Sequence, residues 1–351
     1  MTAGPAPRVA VVVLNWNGGA ALLDCLESVR WSDYGEFVTI LADNGSDDGS
    51  PSLALSWANA RRAGGEDVRV VRYDRDSAEA GGDPDAEARL AVGPSPGRFV
   101  MIEIGANLGY AAGNNVALRY ALARGFEYVM LLNNDAAVEP ATLSALVACL
   151  ESHAGWAGAA PKVVAAPDPR RILYAGGAVR LWQARGVHIG RNRRDGPRWS
   201  GTRATRHMSG CCALYRCGLF RDVGLLDEDF FFGHEDVALS HIAGKRGLTF
   251  GVDLDVRARH AEGWSLRHAS PRSAYYYNKY RLLLVRKYAT AWQLAAAACF
   301  LLTTRVVKFA GLLIAGEPRL VAAEVRSYVD FFAGKLAEHD RSMSAAARPR
   351  P

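Results

Sequence analysis

The sequence predicts an α/β protein built on a mainly parallel, doubly wound sheet, with a less regular second half and a helical C-terminal tail. Three observations favour this class. In the first half, short apolar runs alternate with segments whose apolar residues recur every three or four positions. Most of these runs end on Asn, Asp or Gly, which gathers polar side chains at one edge of the sheet. Half of the 351 residues are hydrophobic, enough for a substantial core.

Apolar runs predict the strands of the first half, and helical patterns follow most of them. The third run is instead followed by residues 74–98, which are rich in Gly, Pro, Asp, Glu and Ala and show no clear periodicity. We therefore expect a mobile surface insertion there. The predicted strands are residues 9–14, 38–42, 68–73, 99–104 and 128–132, and the predicted buried helix faces are Leu22, Leu26 and Val29; Leu53, Trp57 and Ala60; Val116, Tyr120 and Ala123; and Leu143, Val147 and Leu150.

The second half has shorter and less regular patterns. Residues 172–189, which contain a Gly-Gly pair, predict one or two hairpins, and residues 217–223 predict a short helix. An aromatic run then leads into Glu235 and Asp236 at the start of a helix, a position that the helix dipole favours for acids. The strand that follows this helix delivers His260.

The most informative stretch is the strand at residues 128–132 with the three polar residues that follow it. Asn133, Asn134 and Asp135 would lie at the carboxyl edge of the sheet, where open α/β folds bind ligands. Their oxygens suit a hard divalent cation. Asn and Asp are also common turn residues, and this stretch alone favours a strand-to-helix turn. The polar ends of the other strands shift the interpretation to a metal site.

The charge balance and the cysteines limit the partners and the compartment. The net charge of +6 suits an anionic partner such as a nucleotide or a lipid headgroup surface, and it is too diffuse for nucleic acid. The six cysteines show no paired metal-ligand spacing, which predicts reduced thiols in a cytosolic protein. No small-residue cleavage site follows Arg8, so we expect no signal peptide and a cytoplasmic location.

The C-terminal region combines apolar and cationic residues. The apolar run at residues 289–304 is shorter than the about 20 residues that a membrane span needs, and Arg305 and Lys308 follow it. Two interpretations stay open. In the first, an interfacial helix pair lies on the cytoplasmic membrane face with its cations reaching toward the headgroups. In the second, a C-terminal helix packs on the domain.

A series of short motifs carries a resemblance to a known family. In chain order they are Asn15-Trp16-Asn17, residues 43–49, residues 107–115, residues 131–135, residues 174–177, Ser209-Gly210, residues 226–231, Glu235-Asp236 and residues 260–265. Together they resemble the family 2 glycosyltransferases, and most of all the rhamnosyltransferase-like branch. The match runs from about residue 9 to residue 287. One such motif is weak evidence, whereas the whole series in this order and spacing is specific.

The resemblance implies a GT-A domain over residues 1–270, with a nucleotide-binding half at about 1–150 and an acceptor half at about 151–270. A helical segment at 271–340 and a disordered tail at 341–351 would follow. Such a domain transfers a sugar from a nucleotide diphosphate donor with inversion at the anomeric carbon. The branch points to a deoxyhexose such as rhamnose on a dTDP or UDP carrier, and to a saccharide, lipid-linked or small-molecule acceptor.

The roles of the family's residues carry over to matching positions. Asp135 corresponds to the last position of the metal motif and His260 to a further ligand, for Mg²⁺ or Mn²⁺. Asp236 falls at the position of the catalytic base, and we assign Glu235 beside it to positioning. Asp43 matches the position that contacts the nucleobase. The predicted donor-binding residues are Asn15, Asn17, Asp43, Asn107, Gly113, Asn114 and Asn134.

The chemistry supports these roles independently. A cation held by oxygen ligands stabilises the negative charge on a departing diphosphate. An acceptor hydroxyl becomes a good nucleophile when a carboxylate takes its proton. Repulsion between Glu235 and Asp236 is expected to raise one of their pKa values. Departures from the family pattern at Gly233, Ala238 and Ile242 lie on the acceptor side and leave the acceptor open.

Three other functions fit the sequence less well. A nucleotidyltransferase shares the sheet and the metal, but it usually begins with a Gly-rich basic phosphate loop, and residues 15–19 contain no Lys or Arg. An inactive sugar-nucleotide binding protein would have no need for Asp135, Asp236 and His260 together. A dinucleotide dehydrogenase would carry G-x-G-x-x-G after the first strand, and this chain does not.

Overall fold

The computed structural model describes residues 6–261 and 270–335. The first half of the chain forms five parallel strands of its large sheet. The strands of this part are β1 (Val9–Asn15), β2 (Phe37–Asp43), β3 (Arg69–Asp74), β4 (Arg98–Glu103) and β5 (Tyr128–Asn133). They lie parallel in the order β3-β4-β2-β1-β5. Every residue of β1 and β2 is buried, as expected for apolar strands covered on both faces. The predicted α/β class and parallel sheet are confirmed.

Helices connect these parallel strands. The helices of the first half are α1 (Gly19–Arg30), α2 (Ser50–Ala63), α3 (Arg75–Glu79), α4 (Pro84–Ala91), α5 (Gly109–Ala123) and α6 (Thr142–Ser152). The apolar positions of α1 that the sequence predicts as its inner face, Leu22, Leu26 and Val29, are all buried. Their spacing of three and four residues places them on one side of the helix. The predicted face of α2 is wrong, because Leu53 and Ala60 are exposed and the helix buries the neighbouring positions instead.

Residues 74–98 were expected to form a mobile insertion, and that prediction is wrong. The segment folds into α3 and α4, each of which begins at a capping aspartate: Asp74 accepts a hydrogen bond from the Ser77 amide and Asp83 from the Ala86 amide. Both helices are too short to show a clear apolar period in the sequence. Glu87 of α4 is buried and accepts hydrogen bonds from two tyrosine hydroxyls of the core, so the segment is tied to the domain.

The second half adds shorter elements to the same sheet. The strands are β6 (Ala136–Val138), β7 (Trp156–Ala165), β8 (Ile172–Tyr174), β9 (Gly177–Arg180), β10 (Arg185–His188), β11 (Thr202–Thr205), β12 (Cys212–Arg216) and β13 (Thr249–His260), and the helices are α7 (Cys217–Val223) and α8 (Glu235–Lys245). β12 joins β5 in antiparallel orientation, and β13 lies parallel to β7. β9 and β10 form a separate hairpin. The predicted hairpin, short helix and less regular second half are confirmed.

The chain then forms three consecutive helices, α9 (Pro271–Tyr288), α10 (Ala291–Ile314) and α11 (Pro318–Phe332). α10 has 24 residues, because the helix continues through Arg305 and Lys308. The apolar run was therefore predicted too short. Within the described ranges, α10 is long and apolar enough to cross a membrane by length and composition alone.

Arg305 and Lys308 bind a carboxylate of the next helix, which corrects the orientation toward lipid headgroups that the first of the two interpretations gave them. The Arg305 guanidinium donates to Glu324 of α11 at 3.0 Å, and the Lys308 ammonium donates to the same carboxylate. The Glu324 side chain is fully buried. A buried carboxylate requires charge partners, so the two cations are held between the helices. The predicted tail at residues 341–351 lies outside the described part of the chain.

Candidate active site

The parallel register brings the carboxyl ends of the strands to one level. Asn15 at the end of β1 is paired with Asp43 at the end of β2, and Leu14 is paired with Asn133 at the end of β5. The polar residues that follow the apolar strands therefore meet at one edge of the sheet, as predicted. We call this edge, with Asn15, Asp43 and Asn134, the donor edge.

The side chain of Asn15 connects the polar groups of the donor edge. Its Nδ2 lies 3.0 Å from Asp43 Oδ1, 3.0 Å from Ser46 Oγ and 2.9 Å from Ser50 Oγ. Its Oδ1 accepts a hydrogen bond from Asn134 Nδ2 at 3.0 Å. Asn15 is fully buried, so these bonds satisfy a group that would otherwise be costly to bury. Ser46 and Ser50 are members of this network that the sequence did not single out.

The turn after β1 holds a second predicted residue, Asn17. Its side chain and Asp47 exchange two hydrogen bonds, from Asn17 Nδ2 to Asp47 Oδ1 at 2.8 Å and from the Asp47 amide to Asn17 Oδ1 at 2.9 Å. Gly18 is required for close approach, since a Cβ there would lie 2.5 Å from both Asn134 Nδ2 and Asn15 Oδ1. The turn is therefore packed directly on the donor edge.

Asn107 organises the turn before α5. Its Oδ1 accepts hydrogen bonds from Asn44 Nδ2 at 3.1 Å and from the Gly109 amide at 2.9 Å. Gly109 has a φ of +85°, and a Cβ there would lie 2.5 Å from the carbonyl oxygen of Phe231. That carbonyl accepts a hydrogen bond from the Tyr110 amide at 2.9 Å. The Asn107 turn thus joins the donor edge to the aromatic run before the acid pair.

Gly113 and Asn114 are buried inside α5. A Cβ on Gly113 would lie 2.8 Å from Leu14 Cδ1 and 3.1 Å from Asn44, so the glycine lets the helix approach β1. Asn114 donates to the carbonyl of Tyr110 one turn earlier and is 1% exposed. Both residues support the Asn107 turn from behind, and their burial does not fit a direct contact with a donor.

Asp135 and His260 meet beside this edge. Asp135 follows β5, His260 ends β13, and their Oδ1 and Nε2 atoms are 3.0 Å apart. The Ala261 amide also donates to the Asp135 carbonyl at 3.0 Å. Each of the two side chains is about one-fifth exposed. Folding therefore brings together two residues that are 125 positions apart in the sequence, and leaves both accessible from solvent. The remaining motif residues, 262–265, lie outside the described residues.

The groups around Asp135 fit a divalent cation. Burial acts to lower the pKa of the His260 imidazole, but Cys211 and Asp135 outweigh it and hold that pKa well above its ordinary value, which indicates a place that favours positive charge. Asn133 Oδ1 is buried and has no hydrogen-bond partner among the described residues. The same residues contain no cluster of three or more His, Cys, Asp or Glu. A cation here would keep positions open for oxygens of a bound substrate, as Mg²⁺ sites commonly do.

The acid pair lies at the first turn of α8. Asp236 Oδ2 accepts a hydrogen bond from the Gly210 amide at 3.1 Å. A Cβ on Gly210 would lie 3.5 Å from Glu235 Oε1 and 3.6 Å from Asp236 Oδ2, so both acids face the same short segment. The Tyr110 hydroxyl donates to the Gly210 carbonyl at 2.6 Å. Only the fold reveals these contacts of Gly210 and Tyr110 with the acid pair.

The two acids have different environments. Burial, followed by the negative charge of Asp236, raises the pKa of Glu235 from its ordinary value of 4.5 to about 8. Glu235 Oε2 is buried and has no hydrogen-bond partner in the described part of the chain. Glu235 therefore keeps its proton near neutral pH, with burial as the larger cause and the predicted repulsion as the smaller one. Asp236 is partly exposed and is stabilised by the Gly210 amide.

His234, which the sequence did not single out, sets the direction of the acid pair. It has a φ of +72° and follows Gly233 at +74°, so the chain turns through two left-handed residues before α8 begins. Burial lowers the pKa of His234 to about 4, which keeps its ring neutral. His234 Nε2 lies 3.2 Å from the Tyr277 carbonyl of α9.

α9 packs over both parts of the site. The aromatic run meets tyrosines of α9, with ring centroids 6.1 Å apart for Phe230 and Tyr280 and 5.9 Å apart for Phe231 and Tyr276. At the start of α9, the Arg272 guanidinium lies 5.5 Å from the Trp16 ring, in the turn after β1. The helix thus holds the aromatic run and the β1 turn together, and with them the acid pair and the donor edge.

Most of the chain matches the model of one protein family. Residues 6–274 match the model described as glycosyltransferase like family 2. Curated relatives include galactofuranosyltransferase GlfT1 of Mycobacterium tuberculosis H37Rv, 26% identical over 186 residues, or 51% of this chain and 57% of the relative. The enzyme of the same name from Mycolicibacterium smegmatis is 27% identical over 187 residues, or 52% and 59%. Each match spans little more than half of the relative.

Solved structures agree on the fold. The mannosyltransferase PcManGT of Pyrobaculum calidifontis, solved with GDP-Man and Mn²⁺, has a TM-score of 0.52 at 19% identity, covering 93% of this chain and 87% of that one. Residues 1–349 of S. aureus TarS have a TM-score of 0.51 at 15% identity, and the match covers 95% of this chain and 82% of that one. GalNAc-T7, solved with UDP, GalNAc and Mn²⁺, has a TM-score of 0.52 at 15% identity, and the match covers 79% of this chain and 48% of that one. With a family match over more than three-quarters of its length and a GT-A fold, the chain belongs to the family 2 glycosyltransferases.

Proposed function

We propose that the protein transfers a sugar from a nucleotide diphosphate donor to an acceptor hydroxyl, with inversion and with the help of a divalent cation. The observation that carries this proposal is that two adjacent residues, Gly210 and Cys211, connect the end of β5 to the acid pair. The carbonyl of Cys211 accepts a hydrogen bond from the Asn133 amide at the end of β5, and the amide of the preceding Gly210 donates to Asp236. The strand that leads to Asp135 and the acid pair are therefore held by one short segment.

Asp135 and His260 would hold the cation, with Mn²⁺ or Mg²⁺ as the expected metal. When bound, a divalent cation supplies positive charge that stabilises the departing diphosphate. The two protein ligands leave room for phosphate oxygens of the donor. Support comes from the mannosyltransferase and GalNAc-T7 structures, both of which were solved with Mn²⁺.

The donor edge would bind the nucleotide. Asp43 is the expected partner of the imide N–H of uracil or thymine, which suits a UDP or dTDP carrier. Its carboxylate is fixed by Asn15 and Ser46 before any donor arrives. Because the Asp43 carboxylate is already held in place, it loses little conformational entropy when the donor binds. Asn17, Asn107 and Asn134 would complete the donor contacts, with Gly113 and Asn114 behind them.

Asp236 would act as the base. The acceptor hydroxyl gives its proton to an Asp236 oxygen while its own oxygen attacks the anomeric carbon, and the bond to the diphosphate breaks on the opposite face of the sugar. A displacement from the opposite face inverts the anomeric centre. Glu235, which keeps its proton at neutral pH, would position the acceptor or Asp236 through a hydrogen bond.

The sugar is proposed at the level of a hexose. The sequence motifs favour a deoxyhexose such as rhamnose, and the curated relatives are galactofuranosyltransferases. The acceptor would be a saccharide, free or lipid-linked, or a small molecule. The described cysteines are free thiols, five of them buried, which supports a cytoplasmic location. There the protein would be soluble or peripheral on the cytoplasmic membrane face.

A donor screen tests this proposal. The protein is incubated with dTDP-rhamnose, UDP-galactofuranose, UDP-GlcNAc and GDP-mannose, with Mn²⁺ or with chelator, and with and without simple sugar acceptors. We expect one donor to release its nucleoside diphosphate in a cation-dependent reaction that acceptor accelerates. Release of pyrophosphate from a nucleoside triphosphate and a sugar phosphate would instead identify a nucleotidyltransferase. Tight donor binding with no turnover for any acceptor would favour the binding-protein alternative.

A further inference from the structure

The outer face of α10 is mainly apolar. We define this outer face by Trp292, Leu302, Val306, Val307, Leu313 and Ile314, which are 56–89% exposed. The helix is 24 residues long, about 36 Å at the usual rise per residue. Only Ala297 and Leu301 of α10 are buried. Monomeric proteins rarely expose continuous apolar patches of this extent, which indicates a surface that is covered in use.

The charged residues of α10 are turned away from this outer face. Arg305 and Lys308 both bind the buried Glu324 carboxylate of α11, on the side of the helix that faces the protein. Spanning a bilayer would place these three charged groups near the middle of the apolar segment, where charges are costly. The arrangement instead suits a helix that lies along a surface and presents an uncharged, mainly apolar face to it.

Positive charge lies immediately beside α10. Residues 166–206 contain ten arginines and two aspartates, a net charge of +8, whereas the whole chain carries +6, so the rest of the chain sums to −2. Within this segment, Arg180 and Arg185 stand directly opposite each other at the tip of the β9–β10 hairpin. Both are exposed, and neither has a carboxylate partner in the ranges that the structure describes. Like charges at such a position destabilise a hairpin unless an anion neutralises them.

The hairpin tip is fixed to the C-terminal helices. The Arg185 guanidinium lies 5.9 Å from the Phe300 ring of α10, and the Trp182 ring packs edge-on against the same ring at 5.8 Å. Arg281 of α9 is buried and donates to the carbonyls of Ala184 at 3.0 Å and Gln183 at 2.8 Å. The two tip arginines therefore keep a constant place next to the outer face.

We propose that the outer face of α10, with Arg180 and Arg185 at its side, docks on the surface of an anionic lipid bilayer. The apolar side chains enter the interface while the two arginines contact anionic headgroups. The same hairpin packs on the helix that carries the acid pair, since a Cβ on Gly186 would lie 3.0 Å from Val237 Cγ2. Docking therefore holds the acceptor half next to the bilayer. The docking itself does not depend on the proposed sugar transfer, whereas this consequence for the acceptor does.

Vesicle sedimentation of the full-length protein tests the proposal without donor or acceptor. We expect the protein to sediment with phosphatidylcholine vesicles that contain phosphatidylglycerol, and less with vesicles of phosphatidylcholine alone or at high salt. Leu302→Gln and Val306→Gln should each lower the partition coefficient about tenfold, because less apolar surface is removed from water. Arg180→Gln and Arg185→Gln should each lower it about fivefold.

A matched control separates docking from general charge. Arg89→Gln with Arg203→Gln removes two exposed arginines that contact neither α10 nor the hairpin tip, and it should change partition less than twofold or so. Circular dichroism and thermal unfolding confirm that each variant is folded.

Three outcomes overturn the proposal. The first is that the wild type does not sediment with vesicles at low salt. A wild-type dimer that Leu302→Gln dissociates would then show that a second copy covers the outer face. The second is a control variant that loses as much binding as Arg180→Gln or Arg185→Gln. The third is resistance to alkaline carbonate extraction, which would show a spanning helix.

Discussion

The donor edge and the acid pair lie side by side, yet they differ in how far the hydrogen bonds of their polar side chains are satisfied. At the donor edge, Asn15 uses both ends of its amide, and Asp43 accepts hydrogen bonds from Asn15 and Ser46. At the acid pair, Glu235 keeps a buried oxygen without a described partner and follows a residue with a left-handed backbone. The first arrangement is complete in the free protein, and the second is not.

This difference suggests how the reaction is divided between the two regions. A satisfied network gives a rigid surface that fits one ligand, which suits recognition of a nucleotide. Unsatisfied buried groups and backbone strain cost stability, and they persist where a substrate or a reaction uses them. Variants of the donor edge should therefore act mainly on binding, and variants of the acid pair mainly on turnover.

The largest effect is expected at the metal position between the two regions. Asp135→Ala removes one of the two proposed cation ligands, so turnover should fall by more than about 10³-fold, the loss of several kcal/mol of charge stabilisation. Donor affinity measured with Mn²⁺ should fall as well. Asp168→Ala, which removes an exposed acid from the loop after β7, serves as the control. Near-normal turnover of Asp135→Ala in the presence of chelator would show that the metal assignment is wrong.

A smaller effect is expected at the donor edge. Asp43→Ala should raise the donor Kd by about one to two decades, because a charge-assisted hydrogen bond worth ~1.5–3 kcal/mol is lost. Ser46→Ala is the matched control, since it removes one hydrogen bond to Asp43 and keeps the carboxylate. Its effect should be less than a decade. Calorimetry that finds equal donor affinity in Asp43→Ala and wild type would contradict the role of Asp43.

The smallest effect concerns stability. Because the pKa of Glu235 is raised in the folded protein, the unfolded chain releases this proton first as pH rises, and stability falls between pH 4.5 and about 8. Glu235→Gln removes this loss, so the variant should be more stable than wild type near pH 8 by at least ~1 kcal/mol, and the gain should shrink toward pH 4. Urea unfolding at several pH values measures it. A gain that is the same at every pH would exclude the buried proton as its cause.

The donor edge could be predicted from the sequence because its chemistry follows from strand ends. A buried apolar strand places the next residues at the sheet edge, so Asn15, Asp43 and Asp135 could be located together without coordinates. The bonds to Ser46 and Ser50 could not, since serine in a turn is too common to single out.

The acid pair and the C-terminal region required the fold. Nothing local to Gly210 or Tyr110 indicates that they face Glu235 and Asp236, because that contact depends on how β12 and α5 pack. From their position in an apolar run, one of the two open interpretations placed Arg305 and Lys308 at a membrane surface. Their partner Glu324 lies in the next helix, and such tertiary pairing has no local signal.

The direct test of the division between recognition and turnover is a comparison of Asp236→Asn with Glu235→Gln. Asp236→Asn keeps the shape of the side chain and removes the base, so kcat should fall at least ~10²-fold while donor Kd, set by Asp43 and the Asp135 site, stays within about twofold. Glu235→Gln should cost less in kcat, because that residue already carries a proton. If Glu235→Gln is the inactive variant and Asp236→Asn the mild one, the base is assigned one residue too late; if both are mild, this acid pair does not perform the chemistry.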